Sequence, residues 1–367
     1  MSYSKKILTV SLVVLLALAI LNLPITLAQN PQDLPPPPPP PQEKEKPTRG
    51  SREPSRNTSR DSDQDDQQGI IKIGAELVTL DVSVIDKNNK FITGIQQDKF
   101  QVFEDQITQN IEFFSQEQVP ISYGIVIDTS GSMRKRLPTV IKAAKTLIAL
   151  SRPGDEVFII DMKDTLNVEL LEDFTMSMED ANDALDNMVA GGGTALLDGV
   201  VVAGEHAKGG KHRRKALLVI SDGDERDSVY TVDQTVDKLR EYDVQLYMIG
   251  FPDEAPEDGG LFKRSPKKKA IELINKLTTE SGGQAYFPKD LSDLEPIAKK
   301  IGSDLRSQYS IGYYPSNGKQ DGTFRKLKVV LNDNKEYAVR TRSGYFAPKE
   351  GGNSNNGNSL SPKRLGK

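Results

Sequence analysis

The spacing of apolar positions changes twice along this chain. Between residues 70 and 118, Leu77, Leu80, Val82 and Val84 give a partial two-residue alternation, and Asp86-Lys87-Asn88-Asn89 then reads as a turn. The stretches 100–104 and 111–114 are further strand candidates, so this part is expected to be a small β unit. From 119 onward, short unbroken apolar runs alternate with segments apolar at three- and four-residue spacing. The runs 124–127, 157–160, 216–220 and 244–250 predict buried strands, and 284–287 predicts a shorter one. Helices are predicted over 139–150, 178–189, 196–206, 231–242, 269–281 and 291–305, the last capped by Asp290. Residues 167–171 read as a short antiparallel edge strand. Strands over 309–314, 323–331 and 337–342, with turns at Asn317-Gly318 and Asn332-Asp333-Asn334, are expected to pair with the N-terminal β unit. The fold class predicted is α/β, a doubly wound, mostly parallel sheet with β-rich flanking segments. The expected boundaries are a β unit over 70–118, the α/β domain over 119–307, C-terminal strands over 308–347 and a disordered tail over 348–367.

The first 69 residues do not fit this rhythm. Lys5 and Lys6 precede an apolar run over 7–21, and small residues lead to Ala28, which is the pattern of a secretory signal peptide over 1–28. An uncleaved N-terminal anchor is the alternative, and the only membrane attachment the sequence suggests. Residues 29–69 hold an uninterrupted proline tract over 35–41 and then a charged stretch almost free of apolar residues. Such a segment reads as a disordered linker or stalk. The expected location is secreted, periplasmic or cell-surface.

Composition narrows the chemistry. The chain of 367 residues has no cysteine and two histidines, His206 and His212. A disulfide framework, a thiolate nucleophile and a Cys-ligated zinc are therefore excluded, and histidine-rich metal sites nearly so. The formal charge of −4 gives no reason to expect nucleic-acid binding. What remains is carboxylates, hydroxyls and a metal.

Those groups concentrate at the ends of predicted strands. The run 124–127 ends in Asp128, followed by Ser130 and Ser132. Thr194 follows the glycines 191–193, and Asp222 follows the run 216–220. In open α/β sheets, ligands bind in the crevice beyond the carboxyl ends of the strands. Hard oxygen donors suit Mg²⁺, Mn²⁺ or Ca²⁺ rather than zinc, and two carboxylates in one crevice repel unless a cation lies between them. The competing interpretation is that each residue merely caps a turn, as aspartate and serine often do.

Asp128-Thr129-Ser130-Gly131-Ser132 resembles the Asp-x-Ser-x-Ser signature of von Willebrand factor type A (VWA) domains, and Thr194 and Asp222 match that family's remaining positions. The resemblance covers roughly 119–305 and implies a VWA/Rossmann-like fold with a metal-ion-dependent adhesion site. It implies that Ser130, Ser132 and Thr194 contact the metal and that Asp128 and Asp222 bind it directly or through water. One coordination position then stays open for the Asp or Glu of a partner protein. Mg²⁺ is the cation expected first, with Mn²⁺ or Ca²⁺ as alternatives. A weaker similarity to a bacterial VWFA-related subgroup rests on Val84-Ile85-Asp86, Asp98-Lys99-Phe100, the segment 308–315 and Gly344-Tyr345-Phe346.

The function expected is therefore a non-enzymatic adhesion or protein-binding module, with a structural role in the cell envelope as its neighbour. A Mg²⁺-dependent phosphohydrolase using Asp128 as nucleophile is disfavoured, because Ser130 stands where a second acid would serve as general acid. No phosphate-loop spacing exists around 191–193 either. The acidic run 222–227 and the basic run 208–215 are expected to be solvated loops, and the two histidines surface residues.

Overall fold

The structure is a computed structural model, and it describes residues 76–164, 168–251, 265–332 and 336–349. The expected signal segment and proline-rich linker, and most of the expected tail, lie outside these residues.

Four strands come first: β1 (Val78–Ile85), β2 (Phe100–Glu104), β3 (Ile107–Gln109) and β4 (Ile111–Ser115). The α/β part then runs β5 (Ile121–Asp128), α1 (Leu137–Ile148), β6 (Glu156–Met162), β7 (Val168–Thr175), α2 (Met178–Asp186) and α3 (Leu196–Ala207). It continues with β8 (Arg214–Ser221), α4 (Val232–Tyr242), β9 (Gln245–Gly250), α5 (Pro266–Ser281), β10 (Ala285–Tyr286) and α6 (Leu294–Ser307). The chain closes with β11 (Tyr309–Tyr313), β12 (Phe324–Leu331), β13 (Ala338–Arg340) and β14 (Gly344–Phe346).

The central sheet has the order β10-β9-β8-β5-β6-β7 and is parallel except for β7, which runs antiparallel along the edge. Every residue of β5 is buried, as a strand covered on both faces requires. Ile121, Tyr123, Ile125 and Ile127 pack with α1, α2 and α6, whereas Val126 packs with Phe158, Ile160 and the apolar sides of α3, α4 and α5. Gly124 lies on the Phe158 side, where a Cβ would overlap the aromatic ring. The chain leaves β5 toward β6 on one side and returns to β8 on the other. The switch point thus falls at the carboxyl ends of β5 and β8.

Helix ends follow local chemistry. Pro138 in the first turn is compatible with helix initiation, so α1 begins at Leu137, before the expected 139. Thr231 and Gln234 form a reciprocal capping box ahead of α4. The helix expected over 178–189 stops at Asp186, since the chain must extend to enter the glycine loop.

The two β flanks interleave. One sheet is ordered β13-β1-β11-β4 and the other β14-β12-β2-β3. Leu80 stands opposite Ile311 in the first, and Val102 opposite Val329 in the second. Side chains of both sheets, among them Val82, Phe100, Tyr309 and Leu327, share one buried cluster. The strand expected over 337–342 is the shorter β13, and the chain crosses at 341–343 to add β14, which was not expected, to the other sheet.

This sandwich joins the amino end of the central sheet through buried ion pairs. Arg214, the first residue of β8, is fully buried and donates from Nε and Nη2 to Asp81 Oδ1 at 3.2 and 3.1 Å. Arg213 Nη2 reaches the same oxygen at 2.7 Å. Burial works against the Asp81 carboxylate, but Arg214 and Arg213 outweigh it and hold its pKa below the usual value. On α6, buried Asp304 pairs with Arg340 and accepts from Ser83 Oγ at 2.7 Å and Tyr247 OH at 2.9 Å. Arg306 pairs with Asp155 nearby. The basic run 208–215 is therefore not simply a solvated loop, since its two arginines are the anchor between sandwich and sheet.

Candidate metal centre

Asp128 is the last residue of β5, and neither of its oxygens is idle. Oδ1 accepts from Ser130 N at 2.9 Å, which closes the turn, and Oδ2 accepts from Ser221 Oγ at 2.7 Å across the switch point. The side chain is fully buried. Burial pushes its pKa up to about 6; hydrogen bonds from Ser130 and Ser221 pull downward, and the Asp222 charge adds to the rise. Among the described residues no Lys, Arg or His forms an ion pair with Asp128 or Asp222.

The other expected residues close around it. Ser130 Oγ lies 3.0 Å from Ser132 Oγ, and Ser132 Oγ donates to Asp222 Oδ2 at 2.5 Å. Asp222 follows β8 directly and is buried, as are Ser130 and Thr194; Ser132 is exposed and forms the open side. The glycine loop is stapled to the same turn. Gly191 N donates to the Thr129 carbonyl at 2.7 Å, and Gly131 N to the Gly192 carbonyl at 3.3 Å. Gly192 has a φ of +86°, which favours glycine, and a Cβ at 193 would come within 2.6 Å of Asp227 Oδ2. The Thr194 carbonyl accepts from Arg226 N and Asp227 N at 3.4 and 3.3 Å. Hydrogen bonds link Asp128, Ser130, Ser132 and Asp222 directly or through Ser221, while Thr194 joins them through the backbone.

These residues fit a small divalent cation. The Ser130 and Ser132 hydroxyls and the Asp222 carboxylate lie within hydrogen-bond distance in series, Asp128 joins them through Ser130 N and Ser221 Oγ, and among the described residues no protein cation pairs with either carboxylate. Among the described residues there is no cluster of three or more His, Cys, Asp or Glu, so hydroxyls must complete the donor set.

Several supporting residues escaped sequence reasoning. Ser221 reads as the polar end of a buried strand, yet it bridges Asp128 and Gly223 N. Thr129 Oγ1 donates to Asp161, itself paired with Lys163. Asp198 in α3 is buried and accepts from the backbone N–H groups of Val229 and Tyr230 at 2.9 Å each. Glu225 accepts from Leu197 N and Ser228 Oγ, both at 2.9 Å. The acidic run 222–227 is thus partly a brace against α3. A helix-start aspartate followed some thirty residues later by an acidic loop was the available signal, but helix caps look the same.

A doubly wound sheet with an Asp-x-Ser-x-Ser turn, a glycine-loop threonine and a second aspartate at its switch point defines a class of domain. The von Willebrand factor type A domain family matches residues 124–225. Among solved structures, the von Willebrand factor type A protein from Catenulispora acidiphila is 12% identical, with 76% of each chain covered and a TM-score of 0.43. An aerotolerance-related membrane protein from Bacteroides fragilis is 19% identical over 50% of this chain and 98% of its own, with a TM-score of 0.39. The protein BatB from Bacteroides thetaiotaomicron is 18% identical over 51% and 100%, with a TM-score of 0.39. No curated protein matches the chain.

Proposed function

We propose that this chain is an exported, non-enzymatic protein-binding module whose VWA domain holds a divalent cation, Mg²⁺ first, at Asp128, Ser130, Ser132, Thr194 and Asp222. When bound, the cation supplies a coordination position for the Asp or Glu side chain of a partner protein. The observation that carries this reading is the buried Asp128 carboxylate, which has hydroxyl and N–H donors but, among the described residues, no ion-pair partner beside a second carboxylate. Asp128 fixes the turn through Ser130 N, Ser221 orients Asp128, and exposed Ser132 marks the side from which a partner approaches. That open side favours engagement of a partner over a closed, purely structural shell. Hydrogen bonds to both oxygens of Asp128 and its burial support a role as ligand or positioning acid rather than as a nucleophile attacking phosphate.

Export rests on the N-terminal charge and apolar pattern of residues 1–28. Among the described residues no helix is long and apolar enough to cross a membrane.

Calorimetric titration of Mg²⁺, Mn²⁺ and Ca²⁺ into the full chain and its Asp128→Ala/Ser130→Ala variant tests the reading. Saturable binding by the wild type alone is expected. Binding by neither protein reduces the five residues to capped turns and removes the adhesion role.

A further inference from the structure

The rim of the crevice carries apolar side chains in unusual exposure. Val229 is 77% and Val189 70% exposed, and Tyr230 beside Val229 is 37% exposed. Single exposed apolar residues are ordinary. These lie on two loops that frame one site, and the Val229–Tyr230 pair is held in place. Asp227 N donates to the Thr194 carbonyl, so Val229 follows two residues after a direct contact with the glycine loop. Gly191 N donates to the Thr129 carbonyl, and Val189 precedes that contact by two residues. At about 3.8 Å per Cα step, each valine stands within roughly 8 Å of chain from the crevice wall.

A buried charge is committed to this display. Asp198 is 5% exposed, and its two oxygens accept from Val229 N at 2.9 and 3.0 Å and from Tyr230 N at 2.9 Å. Glu225 and Ser228 tie the same loop to the first turn of α3 through Leu197 N and Asp198 N. A carboxylate desolvated to fix two backbone N–H groups stiffens a segment whose side chains point to solvent, and a rigid apolar anchor costs less entropy on binding than a loose one. Immediately after Ser132, Arg134 and Lys135 are exposed, placing cations next to the open side of the site.

We propose that the partner segment recognised here is an acidic peptide stretch in which the coordinating Asp or Glu is flanked by a large apolar residue that packs on Val229 and Tyr230. This rests on the reading of the crevice as a cation site. Val189 continues the apolar rim, and Arg134 and Lys135 favour net negative charge in the same stretch. Asp198 acts as a positioning residue for the anchor pair.

The test uses the full chain with saturating Mg²⁺ and two capped pentapeptides, each with a central Asp. One is flanked by glycines and the other by leucine and phenylalanine. Affinities are read by NMR titration for the wild type and a Val229→Ser/Tyr230→Ser variant, both with Mg²⁺ affinity measured beforehand. The apolar-flanked peptide is expected to bind the wild type about tenfold more tightly than the glycine peptide. That preference is expected to vanish in the variant while Mg²⁺ affinity stays unchanged. Equal affinity for the two peptides, including none measurable for either, overturns the proposal. Loss of Mg²⁺ binding with the apolar preference intact overturns the cation reading alone. An Asp198→Asn variant that weakens only the apolar-flanked peptide supports the positioning role, and one that weakens both peptides equally contradicts it.

Discussion

The two ends of the central sheet treat buried carboxylates in opposite ways. At the amino end, Asp81 meets Arg213 and Arg214, Asp155 meets Arg306, and Asp304 meets Arg340. At the carboxyl end, the hydrogen-bond partners of Asp128 and Asp222 among the described residues are hydroxyls and backbone N–H groups, and neither acid forms an ion pair there. The pKa directions follow. Asp81 lies below the ordinary carboxylate value and Asp128 is pushed up to about 6, although desolvation works against the charge of both. Desolvation acts on both acids, and only the first has a protein cation to oppose it. One end pairs its carboxylates with arginines as folded, while the other offers a place for the cation proposed above.

The largest expected effect breaks the paired end. Arg214→Ala removes a fully buried guanidinium that serves Asp81 and the Leu305 carbonyl. Removing one partner of a buried pair costs about 3–5 kcal/mol, to be read from urea unfolding. Next comes the same isosteric change at each end. Asp81→Asn is expected to destabilise by orphaning Arg214. Asp128→Asn is expected to stabilise the metal-free protein at neutral pH by about 1–3 kcal/mol, since a charge disfavoured by some two pKa units disappears. Destabilisation by both variants would remove the contrast.

The pH dependence separates the ends by sign. The folded pKa of Asp128 lies above its ordinary 3.8, so the folded state holds the extra proton between about 4 and about 6. Its contribution to metal-free stability falls as pH rises through that window. Asp81 is depressed, so its contribution is present above 3.8 and is lost as pH falls through its lower folded value. Unfolding of wild type, Asp81→Asn and Asp128→Asn across that range measures both slopes. The smallest effect expected is that of Ser221→Ala. Loss of one hydrogen bond to Asp128 is worth about 1 kcal/mol, and the Asp128 pKa measured by NMR should rise further.

The comparison also marks what the sequence makes legible. The unbroken apolar run ending in Asp128 announces a buried strand and its carboxyl-end crevice, because period and turn chemistry are local properties. The pairing of β1 with β11 was expected from strand patterns on both sides of the domain, yet its register, Leu80 opposite Ile311, depends on residues more than two hundred positions apart. Strand β3 was missed, since Ile107–Gln109 is three residues behind a turn with positive φ at Asp105 and Gln106. Arg213 and Arg214 looked like part of a solvated basic run because nothing local distinguishes them from Lys208 or Lys211. The burial of Arg214, and the pairing of both arginines, is a consequence of where Asp81 arrives. Ser221 and Asp198 were hidden for the same reason, as each does its work across a gap in sequence. Motif residues could be read, while the residues that hold them required the fold.

We propose that the crevice takes from solution the cation that arginines supply at the amino end. The most direct measurement is the unfolding free energy of the full chain and its Asp128→Asn variant at neutral pH, against Mg²⁺ concentration. The wild type is predicted to gain stability by the linkage relation, about 2.7 kcal/mol at a hundred times the dissociation constant, while the variant stays flat. Two flat lines, or two equal slopes, would contradict it.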